Sequence, residues 1–463
     1  MKPWPTILIA GLLTGCAHFT PQPLAPEKSA TQFEARRLDD AGLAHFVATN
    51  SPVKITNWPP PQWDLNSLTL AAFYFHPDLA VARAQWRVAE SSVTTAGGRP
   101  NPTVTVGPGY DFSAAAGITP WMPFGSLDLP IETAGKRAKR LAEAGNLAES
   151  ARWNYVSAAW QLRSGVRAAL LELGTAQARV KLLQKQFETQ NEIARRLWQR
   201  YEAGALARSE MVPVQMAQNK TQLDLANARA KLPEIRSRLA EALGLPLTAL
   251  DGIPFQNDFT QASFTTNDPP ALDPAAALRT ALLARADIRA ALADYAAAED
   301  NLRLEIAKQY PDLHLNPGYQ FDQGDHKWTI GFTFELPVLN QNQGPIAESR
   351  ARRALAEAKF LQLQAQVIAA LDRAAAGLDA ARQQLTSSRT LLDLAERQQK
   401  SIAAQVQAGA SEPLDLLNAE METNAIRLAQ LESEAQLQTA LGALEDALQH
   451  PADNFDAAKF LKP

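Results

Sequence analysis

The chain has 463 residues, of which 46% are hydrophobic and 20% charged, and its formal net charge is −4. This is the balance of a folded protein, and it excludes an intrinsically disordered one. The charge gives no electrostatic reason to expect nucleic acid, and a single cysteine leaves no internal disulfide.

The N-terminus carries the first signal. Lys2 precedes an apolar run from Ile7 to Leu13, too short to span a bilayer but suited to the h-region of a signal peptide. The run ends at Leu13-Thr14-Gly15-Cys16, which resembles a bacterial lipobox. That resemblance implies a signal peptide over 1–15, cleavage before Cys16 and acylation of the new N-terminus. Ala17 follows, and a residue other than aspartate there implies delivery to the outer membrane. Residues 16–64 are rich in proline and lack steady periodicity, so they read as an extended arm; Pro59-Pro60-Pro61 stops any helix there.

The rest of the chain holds one plan twice. Asp78, Glu90 and Pro102 match Asp287, Glu299 and Pro311 at a single offset, and Pro108-Gly109-Tyr110 matches Pro317-Gly318-Tyr319 at the same offset. Trp121 and Pro130 match Trp328 and Pro337 after a small slip. Ala203-Gly204-Ala205 matches Ala408-Gly409-Ala410, and six residues past each glycine stands an acid, Glu210 or Asp415. The repeats span 65–253 and 274–450, with a linker over 254–273 and a tail over 451–463.

Each repeat reads as helix, two strands, long helix, break and returning helix. The first helices cover about Leu65–Ala96 and Pro274–Gln309. The long helices run from about Lys136 to Ala203 and from Pro345 to Ala408, with no interior proline. At 1.5 Å per residue each reaches roughly 100 Å, a coiled-coil length. Gly204 and Gly409 then reverse the chain, and the returning helices, about Arg208–Leu243 and Glu412–Leu448, are half as long. Two short helices stacked end to end match one long helix in height.

Between the helices lie strand pairs, at about 102–132 and 311–338. Val104, Val106, Pro108, Tyr110 and Phe112 alternate with polar or glycine positions. Leu313, Leu315, Pro317, Tyr319 and Phe321 do the same, as do Trp328, Ile330, Phe332, Phe334 and Leu336. A soluble half-buried sheet shows this alternation too. Three features favour a membrane: segments of about ten residues, aromatic residues near strand ends, and an export leader. Four strands cannot close a barrel, and an open edge in lipid leaves backbone groups unpaired, so the barrel must be shared between chains. Two chains supply eight strands; three supply twelve and room for a lumen.

The duplicated helix–hairpin–long-helix plan, from about Leu65 to Leu448, resembles the TolC family of outer-membrane efflux proteins. Leu129-Pro130-Ile131-Glu132-Thr133-Ala134-Gly135-Lys136-Arg137 resembles the entry to the first long helix in heavy-metal efflux members of the CzcC and CusC type. Leu336-Pro337-Val338-Leu339-Asn340-Gln341-Asn342-Gln343-Gly344 resembles the entry to the second. The resemblance implies a homotrimer, a twelve-stranded transmembrane barrel and a helical coiled-coil tunnel in the periplasm. It implies a passive exit duct for an inner-membrane RND pump joined through a periplasmic adaptor. It also implies an acidic ring where the tunnel narrows, with Asp415 at the family's first aspartate and Glu210 its counterpart in the first repeat. A second aspartate is replaced by Asn418, and the tyrosine and arginine that hold some members closed are replaced by Val406 and Ser411.

No catalytic constellation is visible. The six histidines are scattered without paired ligand spacing, and no phosphate loop is present. Neither metal nor cofactor is expected apart from the lipid at Cys16. Two alternatives remain: a type I protein-secretion duct, and a coiled-coil lipoprotein without a pore.

Overall fold

The computed structural model describes residues 17–50, 57–256 and 274–450. Cys16, most of the linker and the C-terminal tail lie outside the described residues.

The arm is not wholly extended. It contains two helices, α1 (Pro26–Glu34) and α2 (Ala41–Asn50). Pro26 opens α1, where its missing N–H costs nothing. Leu43 and Val47, one turn apart on α2, are buried together with Leu38 in the first repeat's core. Helices this short are unstable alone, so tertiary packing selects them and sequence periodicity does not announce them.

The first repeat follows as α3 (Leu65–Phe75), α4 (Pro77–Ala96), β1 (Thr103–Gly107), β2 (Phe124–Ile131), α5 (Lys136–Glu202) and α6 (Arg208–Leu243). The second is α7 (Pro274–Ala284), α8 (Ala286–Ala307), β3 (Leu313–Asp322), β4 (Asp325–Thr333), α9 (Gln343–Gln407) and α10 (Pro413–Leu448). The long helices α5 and α9 have 67 and 65 residues.

Each first helix, expected as one piece, is broken in two. In the first repeat the cause is local: Pro77 has no N–H and forces His76 into extended backbone, ψ 127°. In the second no proline is present, yet Arg285 is extended at ψ 134°. There the break makes room for the end of another helix. Arg285 Nη1 donates to the carbonyls of Asp446, at 3.1 Å, and Ala447, at 2.5 Å, in the last turn of α10. The first repeat has the same abutment. Gly244 ends α6 with φ +68°, and a Cβ on it would lie 2.8 Å from His76 Cα. Only glycine tolerates both the left-handed backbone and that approach.

The short helices thus stack end to end, α4 on α6 and α8 on α10. α5 packs against all four, and α9 packs against α8 and α10. The chain is a wall of four columns in the order α4/α6, α5, α8/α10, α9. At one end stands an antiparallel sheet of order β1-β2-β3-β4, in which β2 and β3 join the two repeats. No described helix is long and apolar enough to cross a membrane.

Candidate functional site

The residues that the sequence singles out lie at the two ends of this wall. At the sheet end, paired residues share a face, so register decides what each face presents. Val104 lies opposite Leu127, Leu129 opposite Leu315, Pro317 opposite Ile330 and Leu315 opposite Phe332. That face is apolar and bare: Val106 is 77% exposed, Trp328 79% and Ile330 75%. Tyr319 and Trp328 pack together at its far end, as do Tyr110 and Trp121. The other face carries Thr105, Ser126, Gly318 and Thr329 in one row. Asp128 pairs with His314 there at 3.0 Å, and Asn316 donates to Thr333 at 2.9 Å. Phe124 breaks the pattern on the polar face, its ring covering Gly107, where a Cβ would sit 2.7 Å from the ring, and His326 breaks it on the apolar face, opposite Phe321. A sheet with one bare apolar face and one polar face fits lipid on one side and water on the other.

Where strands give way to long helices, both bends are tied to the corner between α8 and β3. Thr133 N and Lys136 Nζ each donate to Asp312 Oδ1 at 2.8 Å. Partial burial pushes the Asp312 carboxyl up, but Lys136 and the Thr133 N–H outweigh it and hold the group below its ordinary value. Asn342 donates to the Glu305 carbonyl at 2.7 Å and to its carboxylate at 2.9 Å. Glu305 is likewise lowered: burial opposes, and Lys308 and Asn342 prevail. Left-handed backbone at Gly135 (φ +67°) and Asn342 (φ 62°) turns each chain into its helix.

At the opposite end, Gly204 and Gly409 both adopt φ +72°. The amide after each glycine bonds back around the turn, Ala205 to Arg200 at 2.9 Å and Ala410 to Gln405 at 2.8 Å. This is the Schellman closure that satisfies carbonyls at a helix end. The two acids stand one turn inside the returning helices and are exposed. Glu210 accepts the Ala207 N–H at 3.2 Å, and Asp415 accepts the Glu412 N–H at 3.0 Å. Their six-residue spacing from the glycines therefore has a local cause: each carboxylate caps a helix N-terminus. Asn418 is exposed beside Asp415, and Ser411 donates to Gln405 at 3.0 Å.

Sequence reasoning missed three polar contacts. Arg200, at the end of α5, forms an ion pair with Glu412 and joins the two tips. Arg36 of the arm donates at 2.8 Å to the carbonyls of Phe75 and Gly244. A buried cluster pins α10 to α5. In it Arg163 meets Glu445 at 3.2 Å, while Trp160 and Ser164 donate to Asp446 at 2.9 and 2.6 Å. Gly442 clears the space for Arg167, since a Cβ there would lie 1.9 Å from its guanidinium. The polar residues recur at helical spacing on what would be a core face, which is a signal, but one helix does not reveal its partner.

Known proteins agree with this architecture. The cobalt-zinc-cadmium resistance protein CzcC of Cupriavidus metallidurans is 25% identical over 297 residues, 64% of this chain and 69% of that protein. The outer membrane protein VceC of Vibrio cholerae superposes with a TM-score of 0.67 at 19% identity, covering 84% of this chain and 97% of that one. CusC, described as forming a transmembrane channel, superposes at 0.66 with 17% identity, covering 87% and 96%. Residues 73–245, and again residues 277–449, match the outer membrane efflux protein family, and the chain belongs to that family.

Proposed function

We propose that three copies of the chain form a passive exit duct in the outer membrane, closing a twelve-stranded barrel above a helical tunnel. An inner-membrane RND pump, joined through a periplasmic adaptor, supplies the energy. The observation that carries this reading is the sheet, apolar and bare on one face and polar on the other, standing at one end of helices roughly 100 Å long. The cargo is proposed as heavy-metal cations, with support from the similarity to CzcC. The test is a planar-bilayer recording on purified trimers paired with two substitutions. Phe332→Arg places a charge on the apolar face and costs roughly 2–4 kcal/mol near mid-membrane; Thr333→Arg, on the polar face, costs far less. Equal damage from both would remove the sheet from the membrane.

Asp415, together with Glu210, its counterpart in the first repeat, is proposed to ring the tunnel mouth and enrich cations. Asp415→Asn keeps an acceptor for the Glu412 N–H, so the cap survives while the charge goes. The expected result is a smaller reversal potential under a salt gradient, with Glu396→Gln in the long helix as control. An unchanged potential assigns Asp415 to capping alone. Cys16 is proposed as the acylated N-terminus, and Cys16→Ser is expected to abolish lipid labelling.

A further inference from the structure

His314 stands on the polar face of the sheet, close to where the strands meet the long helices. It is the second residue of β3, opposite Pro130 on one side and Thr333 on the other. Asp128 lies two residues from Pro130 on β2 and therefore on the same face. In sequence 186 residues separate the two, so no ligand spacing announces them. The sheet brings them together: His314 Nδ1 lies 3.0 Å from Asp128 Oδ1 and 3.1 Å from Oδ2.

The near-equal distances carry the argument. A single N–H points along one line and favours one oxygen. An imidazole nitrogen placed evenly before both carboxylate oxygens suits two ligand groups around one ion. Ligand atoms about 2.1 Å from a cation lie roughly 3.0–3.4 Å from each other, for angles between octahedral and tetrahedral. We propose that His314 and Asp128 form a binding site for a divalent transition cation such as Zn²⁺ or Co²⁺, on the water side of the barrel wall. The ion binds Nδ1 and the carboxylate, and water fills its remaining positions. The proton that Nδ1 otherwise donates to Asp128 moves to Nε2, so the neutral imidazole loses none. The inference rests on the duct reading with metal cargo and names a place where that cargo pauses.

The surroundings favour a cation. The hollow beside the pair has a volume of about 490 Å³, and its walls include Asp128, Asp312, Glu335, Lys136 and Asn316. Three carboxylates face one ammonium there, an excess of two negative charges when the imidazole is neutral. Lys136 is engaged by Asp312 at 2.8 Å and so does not compete for Asp128. The pair is open to solvent, each side chain being 39% exposed.

The site is also weak by construction. Among the described residues no three His, Cys, Asp or Glu side chains could together hold an ion, so two must suffice. Low affinity suits a duct, in which a bound ion must also leave. Imidazole favours zinc and its neighbours over Mg²⁺, which prefers oxygen ligands alone. The first repeat has Thr105 in place of His314, so the duplicated position does not offer a second imidazole.

Two measurements test the site. Carbethoxylation of His314 by diethyl pyrocarbonate, read by mass spectrometry on the purified protein, should slow about fivefold when Zn²⁺ is added and stay unchanged with Mg²⁺. His45, exposed on α2, is the reference in the same digest. Asp128→Asn should lose the zinc protection. In planar bilayers Zn²⁺ should reduce the parent's current, and His314→Gln should raise the half-blocking concentration about tenfold while block by Mg²⁺ stays the same. Carbethoxylation that ignores Zn²⁺ overturns the site and leaves His314 and Asp128 as a tie between β2 and β3. Equal protection by Mg²⁺, or full protection in Asp128→Asn, overturns it too, as does a half-blocking concentration that His314→Gln does not move. Zinc protection in a protein that conducts no current supports the site and overturns the duct reading alone.

Discussion

The chain contains two places where a returning helix ends against a broken upper helix, and they are built from different materials. In the second repeat the break supplies its own cation. Arg285 holds the carbonyls of Asp446 and Ala447 and is itself gripped by Asp287 at 2.6 Å. Gln449, left-handed at φ 47°, ends α10 and accepts the Ala286 N–H at 2.8 Å. In the first repeat His76 occupies the matching position and instead caps the Asp78 N–H at 3.2 Å. The carbonyls of Phe75 and Gly244 therefore receive Arg36 from the arm, far away in sequence. Around it lies a large apolar core containing Trp63, Trp86, Tyr155, Leu239 and Leu243, whereas the second repeat has two small clusters built largely from leucine and alanine. The demand is the same in both places, because the last carbonyls of a helix need donors. A duplicated chain can meet it from a different position in each copy, and among the described residues the arm packs into the core of the first repeat.

Four substitutions bear on this contrast. Arg285→Ala is expected to have the largest effect, about 3 kcal/mol, because it leaves Asp287 and two carbonyls without their buried partner. Arg36→Ala should cost less, about 1–2 kcal/mol, since the apolar core around that junction remains. Thermal or denaturant unfolding of the detergent-solubilised protein measures both, and equal losses would mean that the apolar core does not buffer the first junction. At the tips the repeats should be indistinguishable. Gly204→Ala and Gly409→Ala each force alanine to φ +72° in open space and should cost about 1 kcal/mol apiece.

The smallest effect concerns acid. Asp312 lies below its ordinary carboxylate value when folded, so the unfolded chain binds the proton more readily. Its contribution is complete above the unfolded pKa of about 3.9 and disappears as pH falls through the lower folded value. The Asp312 side chain is 36% exposed, so this contribution stays under about 1 kcal/mol. Asp312→Asn should narrow the gap between unfolding midpoints at pH 6 and pH 3. The matching position in the first repeat is Thr103, and Thr103→Val should leave that gap untouched.

Much of the architecture is local in origin and could be read directly. The long helices follow from stretches rich in alanine, leucine, glutamine and arginine, with no proline past the first turn, between Gly135 and Gly204 and between Asn342 and Gly409. The tip turns follow from glycine at left-handed positions, and the strand faces follow from period-two alternation. Matching Trp121 to Trp328 agrees with the pairing, since Trp121 lies opposite Tyr110 as Trp328 lies opposite Tyr319.

Other features have no local cause. Nothing between Leu282 and Ile288 foretells a broken helix, because the break serves the end of α10, more than a hundred residues later. The arm helices exist because Leu43 and Val47 find a core to enter. By contrast, the acids at Glu210 and Asp415 do have a local cause, since each carboxylate accepts a backbone N–H only three residues back along the chain. Arg163 and Glu445 each look like an ordinary helix charge until α5 and α10 are laid together and water is excluded between them. Sequence alone determined what depends on neighbours along the chain: element type, turn position, face and repeat. Tertiary structure decided what depends on neighbours across it, since the partner of a buried charge or an unpaired carbonyl is chosen by packing and not by spacing.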